Sequence, residues 1–349
     1  MKKIAVIMNG LIFDSQRKIL EDIYRKAEEL QADVYTFTSQ VLSTSGRKVL
    51  EGAHQIFTLP DFKEFDGVIL TPNTLTLKEI REYLFEEIKR TGTPAVNVDY
   101  QREDIPYIMG DNYQGMYELA THLITVHKKK RFFYLSGPEG NRDSEQRKHA
   151  FLDAMEKYGI KMQDCQMFEG NFAPESGKNA LDYWMFQCRE LPEVIVCAND
   201  AMAQGVMIEL ELRGIRVPEE VIVTGVDNSR FASESQPRMT TIDRFYPQMG
   251  GLACELLDEM WNGADITGKR VDISSEVVLA ESCGCEYQQN MDIKEYKQKH
   301  MLNDFYNQEI ASVINAMISD FSNCNTFPEV VKVIKKYIVW TDAEFFTCV

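Results

Sequence analysis

Along the first two-thirds of the chain, short unbroken apolar runs alternate with longer stretches whose apolar residues recur every three or four positions. Residues 4–8 form one such run, and Ile19, Leu20, Ile23, Ala27 and Leu30 then follow at helical spacing. The same reading predicts strands at 34–38, 67–71, 94–99, 107–110, 131–136, 166–169, 194–198 and 221–226. Helices are predicted over 15–30, 77–91, 112–126, 146–158 and 174–189, with one more ending at Leu212. A strand–helix alternation of this regularity implies parallel sheets with helices on both faces. Val68-Ile69-Leu70 and Val194-Ile195-Val196-Cys197 lack polar alternation, as central parallel strands do. The strands are too many for one compact sheet, so two doubly wound α/β lobes side by side are expected. In such folds ligands gather at the carboxyl ends of the strands. Asn9, Thr71, Asp99, Ser136, Asn199 and Asp227 stand at those ends, where the competing role is that of helix cap or turn residue.

Composition narrows the function. The chain has 349 residues, 38 Lys plus Arg against 54 Asp plus Glu, and a formal charge of −16. With 44% hydrophobic and 11% aromatic residues it can bury a core, which excludes general disorder. Nucleic-acid readers draw affinity from Lys and Arg on phosphates, so the acidic balance argues against direct nucleic-acid binding by these residues. No apolar run is long enough to span a membrane, and the run at 4–8 is too short for an export signal. The eight scattered cysteines read as reduced thiols of a cytoplasmic protein. Cys283-Gly284-Cys285 is the one close pair, and the five histidines offer it no obvious partners, so neither a metal site nor a cofactor is expected. The run His127-Lys128-Lys129-Lys130-Arg131 reads as the solvated end of a helix. Paired carboxylates could suggest a glycosidase, but no nucleophile–base arrangement accompanies them, and the chain is read as non-catalytic.

Several stretches, in order, carry a resemblance. They are Phe65-Asp66-Gly67-Val68-Ile69-Leu70-Thr71-Pro72, Pro94-Ala95-Val96-Asn97-Val98-Asp99, Gly110-Asp111-Asn112-Tyr113-Gln114-Gly115, Leu135-Ser136-Gly137-Pro138, Cys197-Ala198-Asn199-Asp200-Ala201-Met202-Ala203 and Val223-Thr224-Gly225-Val226-Asp227. Together these resemble the sensor domain of the lactose-repressor family, with its type I periplasmic-binding-protein fold, over roughly residues 3–285. The resemblance implies a first lobe of 1–109 plus 245–265 and a second of 110–244 plus 266–285. The chain would cross between them near 109–111, near 240–244 and after Glu281, and ligand would sit between the lobes. Carried over residue by residue, Asp99 and Asp227 would accept hydrogen bonds from ligand hydroxyls. Arg147, opening its helix, would reach into the cleft, as would Asn199 and Arg244. Phe172 and Tyr100 would pack on a sugar ring or base, and Asn9 and Thr71 would line the first lobe's mouth. The alternative for Asp99, Arg147 and Asp227 is an ion-pair network closing the cleft. The implied ligand is a sugar or another polyhydroxylated small molecule. Leu11-Ile12-Phe13-Asp14-Ser15-Gln16 departs from the aromatic and amide run that relatives usually carry, and Thr71 stands where sugar binders often have Asn.

The ends shape the expected output. Ile4 already lies in the first strand, so the family's usual helix-turn-helix before it is not expected. Residues 286–322 read as a long helix with a seam of Leu302, Tyr306, Ile310, Val313, Met317 and Phe321, suited to a homodimer. Residues 323–349 read as the truncated start of a further, GAF-like domain. The reading is then a cytoplasmic sensing module passing ligand-driven closure to a C-terminal output, most simply a diguanylate cyclase (GGDEF). The alternatives are a transcriptional regulator with a C-terminal AraC-type DNA-binding domain and a stand-alone sugar-binding protein.

Overall fold

The computed structural model describes residues 1–11, 14–39, 46–188, 190–286, 320, 324 and 326–337. The chain divides into two compact units, Met1–Tyr287 and Gln288–Val349.

In the first unit the elements run β1 (Lys2–Asn9), α1 (Asp14–Glu29), β2 (Ala32–Ser39), α2 (Arg47–Ala53), β3 (Gly67–Leu70), α3 (Lys78–Thr91), β4 (Ala95–Val98) and β5 (Tyr107–Gly110). They continue with α4 (Gln114–Thr125), β6 (Phe132–Ser136), α5 (Arg142–Lys157), β7 (Met167–Glu169), α6 (Glu175–Gln187), β8 (Val194–Cys197), α7 (Asp200–Leu212) and β9 (Ile222–Thr224). Then come α8 (Arg230–Glu234), β10 (Thr241–Asp243), α9 (Tyr246–Trp261), β11 (Arg270–Ile273) and β12 (Glu276–Val278). One sheet has six strands in the order β11-β5-β4-β3-β1-β2 and another has four in the order β7-β6-β8-β9. Every pairing in both is parallel. β10 and β12 pair antiparallel, and a bridge between Thr224 and Thr240 joins β10 to the edge of the four-stranded sheet. The expected α/β architecture of two doubly wound parallel sheets is therefore present.

β1 explains why the pattern was readable. Ile4 to Met8 are all fully buried. Ile4, Val6 and Met8 enter a core with Ile19, Ile23, Met249 and Leu257 from α1 and α9. Ala5 and Ile7 enter a core on the other face with Phe57, Leu84 and Phe85. A strand whose side chains alternate between two covered faces needs apolar residues at every position. The second lobe closes around Phe132 to Leu135 and Val194 to Cys197 in the same way.

One segment departs from the expected division. Residues 266–285 read as part of the second lobe, yet β11 pairs with β5 at the edge of the six-stranded sheet. Its Arg270 and Asp272 are exposed and only Ile273 is buried, so no apolar run marks it. The third crossing thus lies at residues 274–275 rather than after Glu281.

In the second unit, α10 spans Phe327–Tyr337. The seam residues from Leu302 to Phe321 fall outside the described residues. Among the described residues no helix is long and apolar enough to cross a membrane.

Candidate functional site

The three crossings pack on one another. Asp111, just after β5, donates its backbone N–H to Ile273 (2.9 Å) and accepts from the Ser275 hydroxyl (2.6 Å). Gly115 lies against Ser275 and Ile242, leaving no room for a side chain. A carboxylate accepting several local hydrogen bonds stays ionised, and Asp111 is held below the usual carboxylate range despite its partial burial. Segments joined this way are suited to move as one hinge.

Beside these crossings the structure gathers four of the predicted residues into one cluster. Asp99 follows β4 with a positive φ of 56°. Its carboxylate accepts from the Gly110 N–H (3.0 Å) and from Arg244 Nη2 at both oxygens (3.1 Å each). Arg244 sits between β10 and α9 with 1% of its surface exposed. Its Nη1 donates to the Tyr246 hydroxyl (2.7 Å) and lies 3.7 Å from Asp143. Gly110 lies close against the Arg244 guanidinium and Met249, so a side chain there would displace one of them. Tyr246 in turn donates to Asp227 (2.9 Å), and Arg147 Nη2 stands 3.8 Å from the same oxygen. Arg147, 3% exposed, also donates to Asn112 Oδ1 (2.9 Å) and to the Ala198 carbonyl (2.6 Å). α5 begins at Arg142, so Arg147 lies in its second turn rather than opening the helix.

Burial governs the protonation of this cluster. It raises the pKa of Asp99, against the pull of Arg244, and of Asp227, against Arg147 and Arg244. Burial also opposes the charge on Arg244, but Asp99, Tyr246 and the neighbouring carboxylates prevail and hold it firmly protonated. Next to it Asp200, 2% exposed, accepts from the Thr241 hydroxyl (2.6 Å) and the Ser229 N–H (2.7 Å). Burial first, and then the Asp227 carboxylate, push Asp200 up to about 7.

The other predicted residues are placed differently. Asn199 caps α7, accepting from the Met202 N–H (3.0 Å) and donating to the Phe172 carbonyl (3.0 Å). Phe172, at φ 65°, lies over Gly137 and packs on the second lobe's core. Thr71 shares a hydroxyl contact with Thr74 (3.0 Å) and so closes a local turn, and the Asn9 N–H, at the end of β1, donates to the same Thr74 hydroxyl (3.0 Å). Tyr100 stacks on Phe85, with ring centroids 5.7 Å apart. It also lines a cavity of about 570 Å³ with Asn73, Arg81 and Asp99 on one lobe and Asn141 and Arg142 on the other. The sequence reading missed Asn112, Asp143 and Tyr246. Each stands next to or within the first turn of a helix, where a polar residue passes for an ordinary cap.

A second cluster overturns one expectation. Cys283-Gly284-Cys285 does have histidine partners, because His122 and His127 come together with both cysteines. His127 is half-buried rather than part of a solvated basic run.

Residues 120–283 match the family described as periplasmic binding protein-like domain. The chain is 29% identical over 191 residues to the HTH-type transcriptional repressor PurR of Mannheimia succiniciproducens, covering 54% of this chain and 57% of that protein. It is 24% identical over 220 residues to the probable HTH-type transcriptional repressor ExuR of Bacillus subtilis, covering 62% and 64%. The chain thus spans less than two thirds of the length of these curated relatives. Among solved structures, the transcription regulator CcpA of Lactococcus lactis superposes with a TM-score of 0.67 at 19% identity, covering 81% of this chain and 99% of that one. A complex of the transcriptional regulator CelR with cellobiose gives 0.68 at 20% identity, covering 81% and 84%. The fold is that of the type I periplasmic-binding-protein-like domains, and residues 120–283 match a domain of that description.

Proposed function

We propose that residues 1–287 are the effector-sensing domain of a transcriptional regulator and take a polyhydroxylated small molecule between the lobes. The observation that carries this is the buried cluster at the crossings, where Asp99 and Asp227 are bonded to arginine and tyrosine donors on neighbouring segments. Ligand hydroxyls can exchange for those donors, since a hydroxyl both gives and accepts a hydrogen bond. Arg244 Nε is buried with no partner among the described residues, a donor that a ligand acceptor would satisfy. Exchange of bonds at the crossings favours one lobe arrangement over another only as far as ligand binds the two differently. The carboxylates on this reading bind and do not catalyse.

The names of the relatives favour transcriptional control, and the diguanylate-cyclase output finds no support in them. The module is proposed to act in the cytoplasm, as a homodimer, with no membrane contact and no direct contact with nucleic acid.

Isothermal titration against ribose, cellobiose and a set of nucleosides tests this. The expected result is saturable binding of at least one compound, weakened more than about tenfold by Asp99→Ala and by Arg147→Ala, or about 1.4 kcal/mol. Absence of binding by a chain with an intact unfolding transition counts against a small-molecule sensor. Unchanged affinity in both variants sinks the residue assignment.

A further inference from the structure

We propose that His122, His127, Cys283 and Cys285 form a tetrahedral zinc site that staples the end of α4 to the segment where the sensing unit ends. The Nε2 atoms of His122 and His127 are 3.1 Å apart. Cys285 Sγ lies 3.4 Å from each of them. One ligand atom from each of the four residues falls within 4.8 Å of all the others. Around zinc, bonds of about 2.0–2.1 Å to nitrogen and about 2.3 Å to sulfur place tetrahedral ligand atoms roughly 3.3–3.8 Å apart. The three separations fall within a few tenths of an ångström of that spacing. A thiol has one proton and can donate to one imidazole, whereas Cys285 faces two at the same distance. A cation between them accounts for all three contacts at once.

Both arms of the site are shaped without it. His122 is in the last turn of α4, and Val126 and His127 donate their N–H groups to its carbonyl (2.8 and 3.4 Å). Lys128 then takes a φ of 58°, and the Lys129 N–H returns to Leu123 (3.2 Å). The two imidazole rings meet edge to face, 4.9 Å between centroids. On the other arm, Ser282 is fully buried and fixed by three bonds. Its N–H donates to Arg238 O (2.8 Å), its hydroxyl to Val223 O (2.6 Å), and it accepts from the Thr240 N–H (2.9 Å). Gly284, at φ 91°, turns the chain so that Cys283 and Cys285 flank it. Ligands held by independent anchors give up little entropy when a metal arrives.

Two thiolates and two imidazoles suit zinc and not the hard cations that prefer carboxylates. Four protein ligands leave no open position, so the site is structural. Each thiol that binds zinc releases its proton to solvent as the Zn–S bond forms. The link would close a loop of 163 residues between His122 and Cys285, two residues before the end of the first unit.

The test is metal analysis of the full chain after gel filtration into metal-free buffer, followed by titration of the stripped chain with Co²⁺. The expected result is one zinc per chain, or uptake of Co²⁺ with ligand-field bands of a tetrahedral thiolate–imidazole site. Cys285→Ser and His127→Ala should each weaken Co²⁺ binding by well over about tenfold, because even residues behind a metal's ligands cost that much. Cys254→Ser, a buried thiol outside the cluster, should leave it unchanged. Should the ligand variants fold poorly, a chelator added to the wild-type chain should abolish the cobalt bands and lower the unfolding midpoint. Less than a tenth of an equivalent of metal together with no cobalt bands overturns the proposal. So does a Cys283–Cys285 disulfide in freshly prepared protein.

Discussion

At the lobe crossings three carboxylates, Asp99, Asp143 and Asp227, meet two guanidinium groups, and each carboxylate has an arginine nitrogen within 3.8 Å. At the end of α4 two imidazoles and two thiols meet, and none of the four carries a full charge in its neutral form. In the first cluster every charged group already has a partner, so apart from Arg244 Nε an arriving ligand must replace bonds that already exist. The second makes only weak contacts among its own members and gains most from an atom supplied from outside. Buried charge that is already paired is costly to break, while soft donors held only by weak hydrogen bonds cost little to lose until a metal binds.

Breaking the charged cluster should therefore have the largest effect. Arg244→Met keeps the volume but leaves Asp99 buried without its cation, and the expected loss is about 3–5 kcal/mol in urea unfolding. Adding Asp99→Asn to the same chain should recover part of it, because a neutral amide is cheaper to bury than an unpaired carboxylate. A cost below about 1 kcal/mol, or no recovery in the double variant, would mean that the two residues do not answer each other.

A smaller effect should separate the clusters by pH. Asp200, beside Asp227, has its folded pKa raised from 3.8 to about 7 by burial and by that carboxylate. Between these values the folded chain holds a proton that the unfolded chain has lost. The stabilisation is thus complete below pH 3.8 and fades as pH rises through about 7, by an amount on the order of 2–4 kcal/mol. Asp99 and Asp227, also raised, add to the same slope. Asp14 and Asp111, held low, oppose it only on the acid side. The difference between wild type and Asp200→Asn isolates one group. Asn can accept from Ser229 and donate to Thr241, so the variant should gain on wild type steadily from pH 4 to 8. Parallel stability curves would show that Asp200 is ionised throughout.

What could be read from the sequence follows the same division. Strands buried on both faces, such as β1 and β8, advertise themselves as unbroken apolar runs. β11, an edge strand with exposed Arg270 and Asp272, does not. Asp99, Arg147, Asp227 and Arg244 were named because the resemblance carried them as a set; an ion-pair network was an alternative for the first three alone, without Arg244. The zinc cluster was hidden by a single backbone feature. His122 and His127 are five positions apart and would lie on different faces of a regular helix, but at the end of α4 the His127 N–H bonds back to His122 O, and this reversal brings the two rings together. Nothing in a run of histidine, lysines and arginine announces that reversal.

The smallest expected effect concerns Asn199, which the sequence offers equally as a ligand contact and as a helix cap. In the structure both ends of its amide are in use. Oδ1 accepts from the Met202 N–H and Nδ2 donates to the Phe172 carbonyl, each at 3.0 Å. Asn199→Ala removes the cap and should cost about 1 kcal/mol. Asn199→Asp keeps an acceptor for Met202 and adds a negative charge at the helix N-terminus, both favourable. It also sets a carboxylate oxygen against the Phe172 carbonyl. If capping dominates, the Asp variant should unfold close to wild type and the Ala variant earlier. If the tether to Phe172 matters more, Asp should fall below Ala, because a repelled carbonyl is worse than a missing donor. Neither variant should weaken ligand binding as much as Asp99→Ala, since Asn199 has no bond to the cluster at the crossings. A loss equal to that of Asp99→Ala would move Asn199 from scaffold to ligand contact and extend the charged site to the N-terminus of α7.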